Sequence, residues 1–124
     1  MKLSSIRGNS QRMPVDERFK KGIELFNQEQ FYECHEILEE LWLESTGPYR
    51  NLYKGVIQAA VALFHLKRGN LNGARALFQT SAAYLTEYKP RALGLNVEIL
   101  IEGMNLCFRG RKKLPIPKLD FHEP

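Results

Sequence analysis

The sequence predicts an all-α fold, in which about five helices form a compact bundle and the third helix is enclosed by the others. Apolar residues recur three and four positions apart in five successive segments. Glycine, proline and asparagine residues separate these segments. Residues 55–64 are apolar nearly all round, which is typical of a helix surrounded by other helices. A chain of 124 residues is long enough to bury one core of useful size.

The first two helices are predicted at residues 14–27 and 31–44. Pro14 is suited to the first turn of the first helix, because proline lacks the N–H that such a turn leaves unpaired. Glycine and proline in residues 45–48 end the second helix. The inner faces are predicted to comprise Phe19, Gly22, Ile23 and Phe26 of the first helix and Phe31, Cys34, Leu38, Leu41 and Trp42 of the second.

Three further helices are predicted at residues 49–68, 71–88 and 97–110. The Gly69-Asn70 pair ends the third helix and caps the fourth, and Asn96 caps the fifth. The fourth helix is expected to bury Leu71, Ala74, Leu77, Phe78, Leu85 and Tyr88, and the fifth Val97, Leu100, Ile101, Met104 and Phe108.

The predicted domain organisation is a flexible arm at residues 1–13, a single helical-bundle domain at 14–110 and an extended tail at 111–124. Prolines in the tail exclude a helix, and its apolar residues predict a segment packed on the bundle; a free linear binding motif is the alternative. The first two helical hairpins align at an offset of 40 residues, a pattern typical of tetratricopeptide-like units. Chance similarity between two amphipathic hairpins explains the alignment equally well.

Charge and cysteine content narrow the range of cell compartments and partners that we expect for this chain. The net charge is +4. A basic cluster lies near the end of the fifth helix and comprises Arg109, Arg111, Lys112 and Lys113. These residues are predicted either to cap the helix and increase solubility or to bind nucleic acid. Cys34 and Cys107 fall on apolar faces, which favours buried free thiols in a reducing cytosol and leaves a disulfide open. No apolar run approaches the roughly 20 residues of a membrane span, so we expect a cytoplasmic protein without a membrane partner.

A polar seam is predicted between the second and third helices. Arg50, Lys54, Gln58, His65 and Arg68 share nearly one face of the third helix. Because a short loop makes the two helices antiparallel, the second helix should place its own polar residues opposite this face. The predicted partners across the interface are His35 with Gln58, and Glu39 with Lys54.

The seam admits two chemical interpretations. One is a satisfied hydrogen-bond network between the helices, for which no cofactor is needed. The other is a divalent-metal site with His35, Glu39 and His65 as ligands and Glu36 as base. In the antiparallel arrangement His65 lies about six residues, roughly 9 Å of helical rise, from the level of His35. A metal site would therefore require the side chains to span this distance. Trp42 is predicted to lie in the core or over the seam, with ligand stacking as the alternative.

The combined pattern resembles the family catalogued as domain of unknown function 309, over about Phe19 to Leu85. The residues that carry the resemblance are Phe26-Asn27, Phe31-Tyr32-Glu33, His35-Glu36, Leu38-Glu39, Trp42, Arg50, Ile57-Gln58, Ala60, His65, Gly69-Asn70 and Gly73-Ala74. The resemblance implies a small all-helical domain with an enclosed central helix and implies no activity. One departure is the first turn, residues 28–30, where the family pattern leads us to expect a glycine.

The sequence therefore predicts a helical binding or scaffold module for an unknown protein or a small polar ligand. No recognised catalytic motif is present. The alternative is a metal-dependent, hydrolase-like enzyme that uses His35, Glu39 and His65. The predicted polar site comprises His35, Glu36, Glu39, Trp42, Arg50, Gln58 and His65.

Overall fold

The computed structural model describes residues 14–109 and 115–124. It confirms the all-α bundle. Five helices are present in the described ranges: α1 Glu17–Asn27, α2 Phe31–Glu44, α3 Arg50–Lys67, α4 Leu71–Leu85 and α5 Val97–Arg109. A 3₁₀ turn at Thr86–Tyr88 and a two-stranded antiparallel hairpin of β1 Arg91–Ala92 and β2 Leu95–Asn96 connect α4 to α5.

Helix α3 is the centre of the bundle and packs against both α2 and α4. Nine of its 18 residues are buried: Leu52, Tyr53, Gly55, Val56, Ile57, Ala59, Ala60, Ala62 and Leu63. A β-carbon on Gly55 would lie 2.7 Å from Leu85 Cγ, so α4 approaches the α3 backbone as closely as a glycine permits. Ser81 Oγ donates a hydrogen bond to the Gly55 carbonyl oxygen at 2.7 Å, which fixes this contact with a polar link.

Two helix boundaries differ from the prediction. Helix α1 begins at Glu17 rather than at Pro14, because Asp16 is its N-cap and accepts a hydrogen bond from the Arg18 amide at 2.8 Å. Helix α4 ends at Leu85, and the predicted last turn is a 3₁₀ turn.

The expected burial of Leu71 was also wrong. This side chain is 42% exposed, since it begins α4 and lies a turn before Ala74, the first fully buried residue of that helix.

The hairpin before α5 was not predicted. Its turn residues, Leu93 and Gly94, have φ values of 49° and 83°, which is the conformation that two-residue hairpin turns require. The usual sequence signal for such a turn is an asparagine or aspartate before the glycine, and here a leucine occupies that position. Asn96 caps α5 as expected, because its Oδ1 accepts a hydrogen bond from the Ile99 amide at 3.0 Å.

Residues 115–124 run extended along the bundle. The Asn27 side chain both donates to the Leu119 carbonyl oxygen (3.0 Å) and accepts from the Leu119 amide (2.7 Å). The Asn96 amide donates to the Asp120 carbonyl oxygen, and the His122 amide donates to Gly94, each at 2.8 Å. The tail therefore joins α1 to the hairpin. The predicted arm at residues 1–13 and residues 110–114 lie outside the described part of the chain.

The turn between α1 and α2, where we expected a glycine within residues 28–30, contains a residue in a conformation that suits glycine. Glu29 has φ of 61°, in the left-handed region that glycine adopts without strain. Its carboxylate accepts a hydrogen bond from Lys67 Nζ at 2.9 Å and lies 3.6 Å from Lys118 Nζ. The bond to Lys67 lowers the pKa of this carboxyl below its ordinary value. Two cations from other parts of the chain thus hold the turn.

None of the helices that the structure describes combines the length and apolar composition needed to cross a membrane. The cytoplasmic location and the tetratricopeptide-like relation of the two hairpins stay predictions.

We predict that Gly22→Ala destabilises the bundle by about 1–3 kcal/mol, because the added β-carbon would lie 2.5 Å from the fully buried Leu38 side chain. Gly47→Ala is the matched control, since nothing lies within 4 Å of a β-carbon there. Urea unfolding measures both variants. An equal loss in the two variants would show that the α1–α2 contact is not tightly packed.

We predict that Glu29→Gly raises the free energy of unfolding by about 0.5–1 kcal/mol in roughly 1 M salt, since glycine removes left-handed strain. At low salt the gain shrinks, because the wild-type ion pairs with Lys67 and Lys118 then contribute. Denaturant unfolding at both salt concentrations checks this. A variant less stable than wild type in both would contradict it.

Candidate functional site

Helices α2 and α3 run antiparallel and place seven half-buried side chains along one junction. We call this junction the α2–α3 seam; it comprises His35, Glu39 and Trp42 of α2 and Arg50, Lys54, Gln58 and His65 of α3. At one end of the junction Trp42 lies beside Lys54, and at the other the rings of Tyr32 and Phe64 are 6.0 Å apart. The predicted seam residues therefore lie along one surface. Glu36 is exposed, one position round α2.

The loop end of the seam is held by Trp42. The Arg50 guanidinium carbon lies 4.2 Å from the centre of the indole ring, and Lys54 Nζ lies 4.1 Å from it. Arg50 Nε also donates to the Ser45 carbonyl oxygen at 2.8 Å, which ties α3 to the loop. Two cations therefore already occupy the indole ring, so this end of the seam stabilises the helix hairpin.

The predicted pairs across the seam are not formed. Lys54 lies over the Trp42 ring instead of forming an ion pair with Glu39. His35 Nε2 lies 3.6 Å from Glu39 Oε2, one turn along the same helix, instead of bonding to Gln58. Gln58 Oε1 and Trp42 Nε1 are buried without a hydrogen-bond partner among the described residues. Of these two unsatisfied atoms, the one on Trp42 lies at the loop end of the seam.

The opposite end of the seam contains a pocket of about 130 Å³. We call it the histidine pocket; it is lined by Phe31, Tyr32, His35, Val61, Phe64 and His65. Both seam histidines thus line one cavity. Tyr32 is 52% exposed and forms the rim, with its ring centre 5.8 Å from that of His35. Sequence reasoning missed Tyr32 and Phe64 as site residues, although Tyr32 lies outside the inner stripe of α2 and within the family pattern.

His65 lies beside the cap of α4. Asn70 Oδ1 accepts a hydrogen bond from the Gly73 amide at 3.1 Å, which directs Asn70 Nδ2 towards His65 Nδ1 at 3.5 Å. An amide nitrogen is only a donor, so this contact, which is long for a hydrogen bond, favours the tautomer in which His65 Nδ1 carries the lone pair.

A wider depression of about 380 Å³ adjoins the histidine pocket. The two share Phe31, Tyr32 and Phe64, and the depression adds Glu29, Gln30, Glu33, Lys67 and Arg68. The Arg68 guanidinium carbon lies 5.3 Å from the centre of the Phe64 ring, so the ring orients this cation at the edge. Together the two cavities form a groove with a narrow aromatic end and a wide polar end.

The metal-ligand set is only partly assembled. Of the three predicted ligands, His35 and His65 line the histidine pocket and Glu39 does not. Within residues 14–109 and 115–124, no three His, Cys, Asp or Glu side chains are grouped closely enough to hold a metal ion. The metal-dependent alternative stays a prediction.

The remaining reactive and basic residues lie away from the groove or outside the described ranges. Cys34 is buried in the core, and desolvation raises the pKa of its thiol to about 12, so the thiolate is not available near neutral pH. Of the predicted basic cluster, Arg109 is exposed at the end of α5. Arg111, Lys112 and Lys113 lie outside the described residues, and nucleic-acid binding stays a prediction.

Residues 19–77 match the model of the family described as "Domain of unknown function (DUF309)". The chain contains a domain of this family. The predicted resemblance is thereby confirmed, and the matched residues include the whole α2–α3 seam and every residue of the groove. Helix α5 and the tail lie beyond the match. The groove therefore lies within the region that the DUF309 model matches.

Two curated relatives are similar to this chain. "Uncharacterized protein YpuF" of Bacillus subtilis (strain 168) is 42% identical over 90 residues, which cover 69% of this chain and 51% of the relative. An "Uncharacterized protein" of Aquifex aeolicus (strain VF5) is 42% identical over 55 residues, 44% of this chain and 16% of the relative. The chain thus spans about half of the first relative and a smaller part of the second.

We predict that Gln58→Met raises the free energy of unfolding by about 1 kcal/mol, because it replaces a buried carbonyl oxygen that lacks a protein partner with an apolar group of similar shape. Gln79→Met on the exposed face of α4 is the control and should change stability by less than about 0.5 kcal/mol. Thermal and urea unfolding measure both. A clear loss of stability in Gln58→Met would mean that the oxygen is satisfied after all.

Proposed function

We propose that the DUF309 domain is a helical binding module whose ligand contacts the groove at the histidine end of the α2–α3 seam. The observation that carries the proposal is the convergence of His35, His65 and the exposed Tyr32 on one pocket inside the family-matched region. A pocket with aromatic walls and a few polar groups is the usual form of a ligand site.

The distribution of internal contacts along the seam supports this location. At the loop end, the cations and the indole ring bind one another, and Arg50 also bonds to the loop. At the pocket end, the polar contacts of His35 and His65 within the described ranges are longer than an ideal hydrogen bond, at 3.6 and 3.5 Å. Polar groups with incomplete partners inside a cavity gain most from a ligand, because binding satisfies them.

Binding fits the groove better than covalent catalysis does. The thiol of Cys34 is buried on the inner side of α2, and the pKa raised by burial keeps it protonated. The groove residues themselves include no serine, threonine or cysteine that could act as a nucleophile.

The relatives are longer than the segment they share with this chain, which is the arrangement expected of a module joined to other sequence.

The second candidate function is metal-dependent hydrolysis with His35, Glu39 and His65 as ligands and Glu36 as base. The presence of both histidines in one pocket favours it. A rise in Tm on addition of Zn²⁺ or Mn²⁺ that is lost in His65→Ala would support this candidate over the binding module.

The binding module is tested by photo-crosslinking from two exposed positions of the same helix. A benzoylphenylalanine at Tyr32 reports on the groove, and one at Leu43, which is 66% exposed near the other end of α2, is the matched control. In cells that produce the chain, we expect defined adducts from position 32 that Val61→Phe removes by filling the pocket. Identical adducts from both positions, or adducts at position 32 that persist in Val61→Phe, would overturn the proposal.

A further inference from the structure

We infer that the surface which holds residues 115–124 is a peptide-recognition site in its own right, and that the tail of a second copy of this chain can occupy it. We call this surface the tail channel; it comprises Phe19, Lys20 and Asn27 of α1, Gly94 and Asn96 of the hairpin and Gly103 of α5. The tail channel shares no residue with the groove, so this inference is independent of the proposed function.

The tail channel binds the main chain of the tail as a sheet edge binds an added strand. Phe121 pairs with Leu95 of β2 in an antiparallel bridge. Two main-chain hydrogen bonds of 2.8 Å flank this bridge, one from the Asn96 amide and one to the Gly94 carbonyl oxygen. The Asn27 side chain adds two further bonds to the tail main chain, at 3.0 and 2.7 Å. Addition of a strand to a sheet edge is a common mode of peptide binding, in which main-chain bonds supply affinity.

Alternate side chains of the tail enter the channel, which gives the site a sequence preference. Leu119 is 4% exposed and belongs to the core. The Phe121 ring packs edge-on against Phe19, with the ring centres 6.2 Å apart. Lys118 and His122, at the positions between and after these residues, are exposed. This is the two-residue period of a strand that has one face on a protein surface.

Two glycines make room for the tail. A β-carbon on Gly103 would lie 2.9 Å from Pro117 Cβ, and the three atoms nearest to it all belong to Pro117. A β-carbon on Gly94 would collide with the carbonyl oxygen of His122. A larger residue at either position would therefore obstruct the channel. The pattern that the channel reads is Pro117-x-Leu119-x-Phe121.

Charged side chains fix the direction of the tail. Lys118 Nζ donates to the Asn27 carbonyl oxygen at 2.9 Å, at the C-terminal end of α1. Helix α1 has no basic residue in its own last turn, so the tail supplies the cation that complements the helix dipole there. Glu123 Oε2 lies 2.8 Å from Lys20 Nζ, near the start of the same helix. A tail laid in the opposite direction would place Lys118 near Lys20.

The contacts of the tail do not depend on which chain carries it. They are non-covalent and lie between Pro117 and Glu123. The covalent link to α5 contributes the effective concentration of the tail at its own channel. When a chain cannot dock its own tail, the tail of a second copy meets the same site. Exchange of an identical segment between copies is a low-cost route to dimers.

The test mixes two full-length variants, neither of which can dock its own tail. The acceptor variant, Leu119→Asp, keeps the channel and places a carboxylate where the tail needs a buried leucine. The donor variant, Asn27→Ala with Gly103→Leu, keeps the tail and obstructs its own channel. We expect each variant alone to be monomeric and the mixture to form a one-to-one complex in native mass spectrometry. If both variants retain their helices, a mixture that stays monomeric overturns the inference.

A synthetic peptide of residues 115–124 decides the case in which either variant unfolds. Added to the acceptor variant, the peptide should give a saturable rise in Tm, or restore the helical circular dichroism of an unfolded acceptor. The Leu119→Asp peptide should not bind. The His122→Ala peptide is the matched control and should bind within about twofold of the wild-type peptide, because this side chain is 78% exposed. Glu123→Gln should weaken binding about twofold to fivefold at low salt and have no effect in roughly 1 M salt.

Two results with the peptides would overturn the inference. If the wild-type peptide neither raises the Tm of the acceptor nor restores its helices, the tail acts only through its covalent link. If the Leu119→Asp peptide binds as tightly as the wild-type peptide, the channel does not read the pattern. Neither result bears on the groove, which the crosslinking from position 32 tests separately.

Discussion

The close approach of α4 to α3 at Gly55 is the contact on which the rest of the structure depends. Leu85 packs where a side chain on Gly55 would lie, and Ser81 bonds to the Gly55 carbonyl oxygen. The same device recurs between α1 and α2, where Leu38 packs against Gly22. The close packing within the α1–α2 and α3–α4 hairpins encloses most of α3. The polar face of α3 then lies beside α2 and contributes to the α2–α3 seam.

Periodicity and caps predicted most of the helices, because these signals are local. The Gly69-Asn70 pair and Asn96 both mark real helix boundaries. The hairpin at residues 91–96 was missed because its turn conformation is not encoded by the residues in it. Leu93 adopts a left-handed φ while it is itself buried. Tertiary packing, rather than turn propensity, selects that conformation.

The candidate site was predicted as a surface but not as a set of bonds. Helical spacing predicted His35, Gln58 and His65 along one junction, and in the structure the two histidines line one pocket. Spacing alone did not reveal that Lys54 would lie over the Trp42 ring, or that the Gln58 oxygen would be buried without a hydrogen-bond partner in the described part of the chain. Competition among several partners for one side chain depends on ångström-scale geometry. For the same reason, the contribution of Tyr32 and Phe64 to the groove required the structure.

The tail has a consequence for the order of folding. Asn27 and Leu119, which bond to each other twice, are 92 positions apart in the chain, whereas the Gly55 and Ser81 partners are 26 apart. Contacts between distant positions close large loops and form slowly, while hairpin contacts form early. The two helical hairpins, and the groove with them, can therefore assemble first. Docking of the tail is then a late step that fastens α1 to the hairpin after the groove exists.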